Sequence, residues 1–322
     1  MNKNIVTIGG GTGTFAVLSS LRNIPGLSLS AVVTTADDGG STGHLRDAYG
    51  FLPSGDARQA LVALAEDGDV LRDLFAYRFT KSDLAGHSLG NLFITALTDL
   101  LGSDQAGLEE ASKILRVSGT VIPATDTSST IIATLTDGSI VRNEHEIDKQ
   151  IKERSRIASL ALETQTPLAA KAKEAIEKAD VIIVGPGDLY TSSIAALLPE
   201  GMKEAIAASN ARLVYVANLF TKMGQTDEYS LGDHVKEIGA YTGKVPNHIL
   251  VHQGEFPEEV LSWYAKEGEY PVEDDLVSDP RVIRALLASV NIVPPLPNDP
   301  IRRSLMRHDP VLLAEALRPL LT

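Results

Sequence analysis

A short β-branched run, Ile5-Val6-Thr7-Ile8, breaks into Gly9-Gly10-Gly11-Thr12-Gly13-Thr14 and resumes as Phe15-Ala16-Val17-Leu18. Strand, glycine turn and helix in that order bring backbone N–H groups and a helix N-terminus to one spot, where an anion, most often a phosphate, is favoured. A tight strand–helix turn without a ligand needs fewer glycines than the four found in positions 9–13. The dinucleotide fingerprint Gly-x-Gly-x-x-Gly is broken, because Thr14 stands at its third position, and no Lys completes a P-loop. No Lys or Arg occurs between Lys3 and Arg22. A phosphate at this loop would therefore be held by amides and the helix dipole rather than by a neighbouring cation.

Further along, strands are expected at 4–8, 29–35, 117–122, 130–135, 181–184, 213–217 and 248–251. Continuous apolar runs such as Val181-Ile182-Ile183-Val184 suit strands covered by helices on both faces, as in a parallel sheet. Helical patterns fall at 15–22, 56–65, 92–101, 108–115, 167–178 and 257–266, with a short amphipathic helix at 310–321. This alternation predicts an α/β, Rossmann-like, doubly wound and mainly parallel sheet with helical additions. Residues 130–135, the turn Thr136-Asp137-Gly138-Ser139 and residues 140–142 predict a small β-hairpin excursion. The stretch 143–179 reads as charged and helical. Residues 1–322 are read as one domain, with a helical lid placed within 40–110 and a C-terminal helical segment at 255–322.

Composition narrows the function. The 322 residues are 43% hydrophobic and 22% charged, with a net charge of −13. That balance opposes a nucleic-acid or anionic-membrane surface. The absence of cysteine excludes disulfides, thiolate metal sites and a cysteine nucleophile. With no secretory signal pattern and no apolar run of about 18 residues, the expectation is a soluble cytoplasmic protein. The one His-x-x-x-His spacing, at 248–252, falls in a predicted strand rather than on a helix. The two Gly-x-Ser-x-Gly spacings, at 39–43 and 86–90, do not directly follow a predicted strand as a strand-to-helix elbow does. Zinc and hydrolase-triad readings are therefore unfavoured.

Candidate site residues cluster at predicted strand ends. In Thr34-Thr35-Ala36-Asp37-Asp38-Gly39-Gly40-Ser41-Thr42-Gly43, Asp37 and Asp38 suit ribose hydroxyls or a hard cation such as Mg²⁺, and the bland alternative is an exposed turn. In Pro53-Ser54-Gly55-Asp56-Ala57-Arg58, Asp56 is a helix N-cap candidate and Arg58 a cation in a first turn, where the dipole opposes it. Gly86-His87-Ser88-Leu89-Gly90-Asn91 offers Ser88 or Asn91 as an N-cap and a second anion-ready helix start. Gly185-Pro186-Gly187-Asp188 follows the clearest buried strand, and Asn218-Leu219-Phe220-Thr221 follows the next. Tyr264, beside Trp263, suits base stacking or core packing, and Arg302 suits either solvent or a cation folded over the rim. Four predicted strands ending in Gly/Asp/Asn/Thr clusters, at 9–14, 35–43, 185–193 and 218–227, place one ligand at the carboxyl edge of the sheet.

These segments, with Thr-Lys-x-Gly-Gln-Thr at 221–226, resemble in order and over nearly the whole chain the gluconeogenesis factor family. That family is a branch of the superfamily containing 2-phospho-L-lactate transferase. The resemblance implies a Rossmann-like sheet with one crevice. It also implies a cytoplasmic protein required for cell shape and cell-wall precursor supply during gluconeogenic growth. Members are associated with UDP-sugars, notably UDP-N-acetylglucosamine. A regulatory partner in cell-wall synthesis and a homo-oligomer are further expectations. The transferase cousins use Mg²⁺ at an Asp, which by position corresponds to Asp37 or Asp38. They lack the Asp-Asp-Gly-Gly-Ser-Thr-Gly and Asn-Leu-Phe-Thr-Lys segments as these stand here, which weighs against the transfer reaction. The expectation is a nucleotide-sugar-binding regulatory protein, with a Mg²⁺-dependent transferase as the alternative. NAD is a further candidate ligand for the crevice, as a diphosphate mimic. The ligand set is Gly10, Gly11, Thr12, Gly13, Thr14, Asp37, Asp38, Ser41, Asp56, Arg58, Asn91, Gly185, Gly187, Asp188, Asn218, Thr221, Tyr264 and Arg302.

Overall fold

Seven parallel strands form the main sheet, and a separate three-stranded antiparallel sheet packs beside it. The computed structural model describes residues 2–36, 40–66, 70–151, 153–289 and 305–321. In chain order the first half contains β1 (Lys3–Gly9), α1 (Gly11–Leu21), β2 (Leu27–Val33), α2 (Gly40–Tyr49), α3 (Gly55–Leu64), α4 (Val70–Ala76), α5 (Leu89–Leu101), α6 (Asp104–Ile114) and β3 (Thr120–Pro123). The excursion follows as β4 (Ile131–Leu135), β5 (Ile140–Arg142), α7 (Glu144–Asp148) and β6 (Ile157–Leu162). The chain then returns through α8 (Ala170–Glu177), β7 (Val181–Val184), α9 (Met202–Ala208), β8 (Arg212–Val216), α10 (Leu231–Thr242), β9 (His248–His252), α11 (Glu258–Lys266), β10 (Val282–Ala285) and α12 (Pro310–Leu317).

The main sheet runs β10-β9-β8-β7-β1-β2-β3. Alternate side chains of its strands enter different cores, as the period of two requires. Ile5, Val181 and Ile183 join apolar residues of α1, α3, α5, α6 and α12 on one face. Val6, Ile8, Ile182 and Val184 join α8, α9, α10 and the antiparallel sheet on the other. A smaller cluster of Leu219, Phe220, Val260, Tyr264, Ala288 and Met306 lies beyond the strand ends. No helix among the described residues is long and apolar enough to cross a membrane.

The doubly wound α/β architecture is the one expected. The hairpin is also present, with Thr134 opposite Ile140, and the Leu135 amide donates to the Ser139 carbonyl at 2.8 Å. Two elements differ from expectation. The stretch 143–179 is not helical throughout: β6 pairs with β4, making a third antiparallel strand. Its buried residues Ile157 and Leu160 stand three apart, a helix-like spacing. The β4–β6 register shifts between Thr134 and Leu135, and that bulge puts both side chains into the core. Likewise 255–322 is not purely helical, because β10 adds a parallel edge strand beside β9.

Glycine permits a close backbone approach between two loops. A Cβ on Gly13 would lie 1.7 Å from the Pro186 carbonyl oxygen, so the first turn of α1 rests directly on the loop after β7. Gly239, inside α10, has open space around a notional Cβ. Gly13→Ala is therefore expected to destabilise the chain by about 2 kcal/mol or more, because backbone must move. Gly239→Ala should stabilise it by ~0.5 kcal/mol by restricting the unfolded chain. Denaturant midpoints of the two variants check this, and equal effects would contradict it.

Candidate functional site

β1 and β7 are neighbours in register, with Ile8 opposite Val184, so Gly9 and Gly185 open adjacent loops. From β1 the chain proceeds outward through β2 to β3, and from β7 it proceeds the other way through β8, β9 and β10. This reversal is the topological switch point of the sheet, where open α/β folds leave a crevice. A cavity of about 620 Å³ lies over it.

Most of the sequence-predicted residues meet in that cavity. Gly10, Gly11, Thr12 and Gly13 line it from the first loop, and Gly187 and Asp188 from the loop after β7. Asn218 and Thr221 come from the loop after β8, Ser41 from α2, Asp56 and Arg58 from α3, Asn91 from α5 and Tyr264 from α11. Thr14 does not line it; the side chain is buried in α1, 2.9 Å from where a Gly9 Cβ would stand. Gly185 sits behind the lining at φ +75°, with a notional Cβ 2.8 Å from the Val216 carbonyl oxygen. That position shapes the turn. Asp37, Asp38 and Arg302 lie outside the described residues.

Asp56 has a role that local reading missed. Ser54, rather than Asp56, occupies the N-cap position of α3. The Asp56 carboxylate instead crosses to α1, where its Oδ1 accepts the Gly11 amide at 2.7 Å. A Cβ on Gly10 would lie 2.2 Å from Asp56 Oδ2, so glycine is needed there to admit the carboxylate. One N-terminal amide of α1 is thus satisfied from another helix, with the charge placed favourably at the dipole. Helix geometry leaves the next amides, Thr12 and Gly13, without intrahelical carbonyl partners.

The α2–α5 wall is polar and buried. Ser88 caps α5 by accepting the Asn91 amide at 3.2 Å. Asn91 Nδ2 donates to Ser41 Oγ at 3.4 Å and to Thr42 Oγ1 at 3.3 Å. Its Oδ1 is buried without a hydrogen-bond partner. The Arg58 side chain is also buried, and its Nη1 lies 3.5 Å from the Phe75 carbonyl. A Cβ on Gly90 would come within 2.8 Å of Arg58 Cδ, so this glycine makes room for the guanidinium stem.

On the opposite wall, Tyr264 stacks on Phe220 with ring centroids 3.9 Å apart and planes 9° apart. Its hydroxyl accepts the Met306 amide at 3.3 Å. Core packing, one of the two readings of this residue, is what the ring does here. His308 lines the same wall. Burial, then the neighbouring His252, push its pKa down to about 4, so the imidazole is neutral near pH 7.

Lys222 was not singled out from the sequence, although it stands in the Asn-Leu-x-Thr-Lys segment. It lines the cavity with its Nζ 2.9 Å from Asp188 Oδ2 and 3.1 Å from Asp148 Oδ1. Burial works against the ammonium, but Asp188 and then Asp148 outweigh it, and its pKa is raised. Asp148 is raised to about 6, chiefly by burial and then by Asp188, with Lys222 opposing. No composition signal marks Asp148, because α7 brings it in from the antiparallel excursion. Among the described residues no group of three or more His, Asp or Glu is gathered as metal ligands. The fit of Mg²⁺ therefore turns on Asp37 and Asp38.

Fold and crevice together define a Rossmann-like α/β protein with its cavity at the strand carboxyl ends. The chain belongs to the family described as 2-phospho-L-lactate transferase CofD, which it matches over residues 5–291. The gluconeogenesis factor of Halalkalibacterium halodurans is 43% identical to it, over 84% of this chain and 84% of its own length. The gluconeogenesis factor of Bacillus subtilis is 38% identical, over 84% and 86%. A Thermotoga maritima relative at 40% identity covers 97% of this chain and 98% of its own. A crystal structure of a Bacillus halodurans protein superposes with TM-score 0.88 at 38% identity, covering 99% of this chain and all of that one. The resemblance read from the ordered motifs therefore holds.

The Asp148 pKa sets a pH dependence. Its folded value of about 6 exceeds the ordinary 3.8, so its proton favours the folded state. That contribution is complete below about pH 4 and is lost as pH rises through about 6. Asp148→Asn has no such loss. The melting temperature of the variant minus that of the parent should rise from about pH 4 to about pH 7 and then level off. A difference independent of pH would contradict the assignment.

Proposed function

We propose that the cavity binds a nucleotide-sugar, UDP-N-acetylglucosamine being the specific expectation, and that the protein acts through that binding as a regulator rather than as an enzyme. The observation that carries this reading is the meeting of two glycine loops over the switch point. Gly13 abuts the Pro186 carbonyl, and a Cβ on Gly187 would stand 3.6 Å from the Gly10 carbonyl. Thr12 and Gly13, at the start of an 11-residue helix whose first amides lack intrahelical partners, line a cavity roomy enough for a nucleotide. Arg58 and Lys222 add positive charge to its walls. The Asp56 carboxylate, held at Gly11, is placed to accept ligand hydroxyls. The name gluconeogenesis factor, borne by the relatives, supports a role in growth on gluconeogenic carbon. Cell shape and cell-wall precursor supply are the processes proposed for it, in the cytoplasm, with a regulatory protein partner and a homo-oligomeric state.

A second reading is a Mg²⁺-dependent transferase acting on a phosphorylated nucleotide donor. It is favoured by the match to the 2-phospho-L-lactate transferase family over residues 5–291. The two readings separate in one experiment. Isothermal titration with UDP-N-acetylglucosamine and Mg²⁺ is expected to show saturable binding, and chromatography of the mixture is expected to recover the ligand intact. Absence of binding to UDP-sugars and to dinucleotides would overturn the first reading. Donor consumption that disappears in Asp37→Asn or Asp38→Asn would establish the second.

A further inference from the structure

The loop between Lys3 and Arg22 offers no cation of its own, yet a diphosphate carries more charge than two or three amides offset. The fold delivers a cation by another route. Gly13 rests on Pro186, Gly187 approaches Gly10, and the next residue, Asp188, holds the Lys222 ammonium at 2.9 Å. A continuous line of contacts therefore runs from the start of α1 to Lys222, and all of these residues line one cavity.

Lys222 is not a surface lysine that happens to be near. Its side chain is only 23% exposed and lies between two carboxylates. The two carboxylates differ in how they are held. Asp188 belongs to the loop that rests on α1, and its backbone carbonyl accepts the Ser192 and Ser193 amides at 3.0 Å. Asp148 ends a five-residue helix attached to the antiparallel sheet rather than to the loop against α1, while the two side chains are similarly exposed, 39% for Asp148 and 35% for Asp188. Asp148 Oδ1 also accepts from Gln225 Nε2 at 2.9 Å, so it keeps a donor when the ammonium turns away.

We propose that Lys222 is the cation that binds the diphosphate of the cavity ligand, and that Asp148 is the counter-ion Lys222 exchanges for it. The proposal rests on the reading of the cavity as a nucleotide site. In it, Lys222 stays tethered to Asp188 while the diphosphate takes the place of the Asp148 carboxylate. The exchange is chemically even: one oxyanion replaces another at the ammonium. It also gives the ligand a hold on α7 and the antiparallel sheet, because binding releases Asp148 from Lys222.

The test is isothermal titration of UDP into the full-length parent, Lys222→Gln and Asp148→Asn at about pH 7.5. Lys222→Gln should weaken binding about tenfold or more, the scale of one charge-assisted hydrogen bond. Asp148→Asn should strengthen it, because the ammonium no longer has a competing charge. A parent-like affinity in Lys222→Gln, or weaker binding in Asp148→Asn, overturns the proposal and leaves the nucleotide reading standing. Should Lys222→Gln fail to fold, the direction of the Asp148→Asn effect decides alone. If the parent binds neither UDP nor a UDP-sugar, the nucleotide reading falls and takes this one with it.

Discussion

The backbone contact between Gly13 and the Pro186 carbonyl is the constraint on which the rest depends. β1 and β7 are adjacent in the sheet but far apart in sequence, and each sends its chain away in a different direction. At such a point the two departing loops separate and leave a crevice. Here they stay close enough at one spot that a single methyl group would not fit. The start of α1 is therefore set against the loop after β7, and every residue of either loop inherits a fixed position relative to the other.

The charges around the crevice follow from that placement. Asp56 reaches across from α3 to the first amide of α1, so part of the dipole is already met by the protein's own carboxylate. Asp188 extends from the loop that α1 rests on and holds Lys222. Asp148 arrives from the antiparallel sheet and shares the same ammonium. The excursion is thus more than an ornament of the main sheet: through α7 it contributes a carboxylate to the cavity wall. Three loops, two sheets and α3 converge on a site that none of them forms alone.

Much of this was legible in the residues. The β-branched run at 5–8 and the continuous apolar runs at 181–184 and 213–217 mark buried strands, and they lie within or overlap β1, β7 and β8. Gly/Asp/Asn/Thr clusters after those runs mark the edge where the cavity is found. What escaped sequence reading was long-range. β6 falls in the stretch 143–179, which reads as charged and helical, and a bulge gives its buried Ile157 and Leu160 a helix-like spacing in place of strand alternation. β10, only four residues long, was absorbed into a helical tail. Asp56 looked like a local cap, since nothing in Pro53-Ser54-Gly55-Asp56 reveals that α1 will lie beside it. Asp148 carried no motif, because its partner stands 74 positions away and meets it only once both sheets have formed.

Hydrogen exchange of the full-length protein with and without UDP-N-acetylglucosamine tests the central claim most directly, because it reads amide protection residue by residue. Slowed exchange should concentrate in peptides spanning 10–14 and 186–193, with a second change around 144–150 at α7. Protection confined to the outer helices, or none in the two glycine loops despite saturating ligand, would contradict the account.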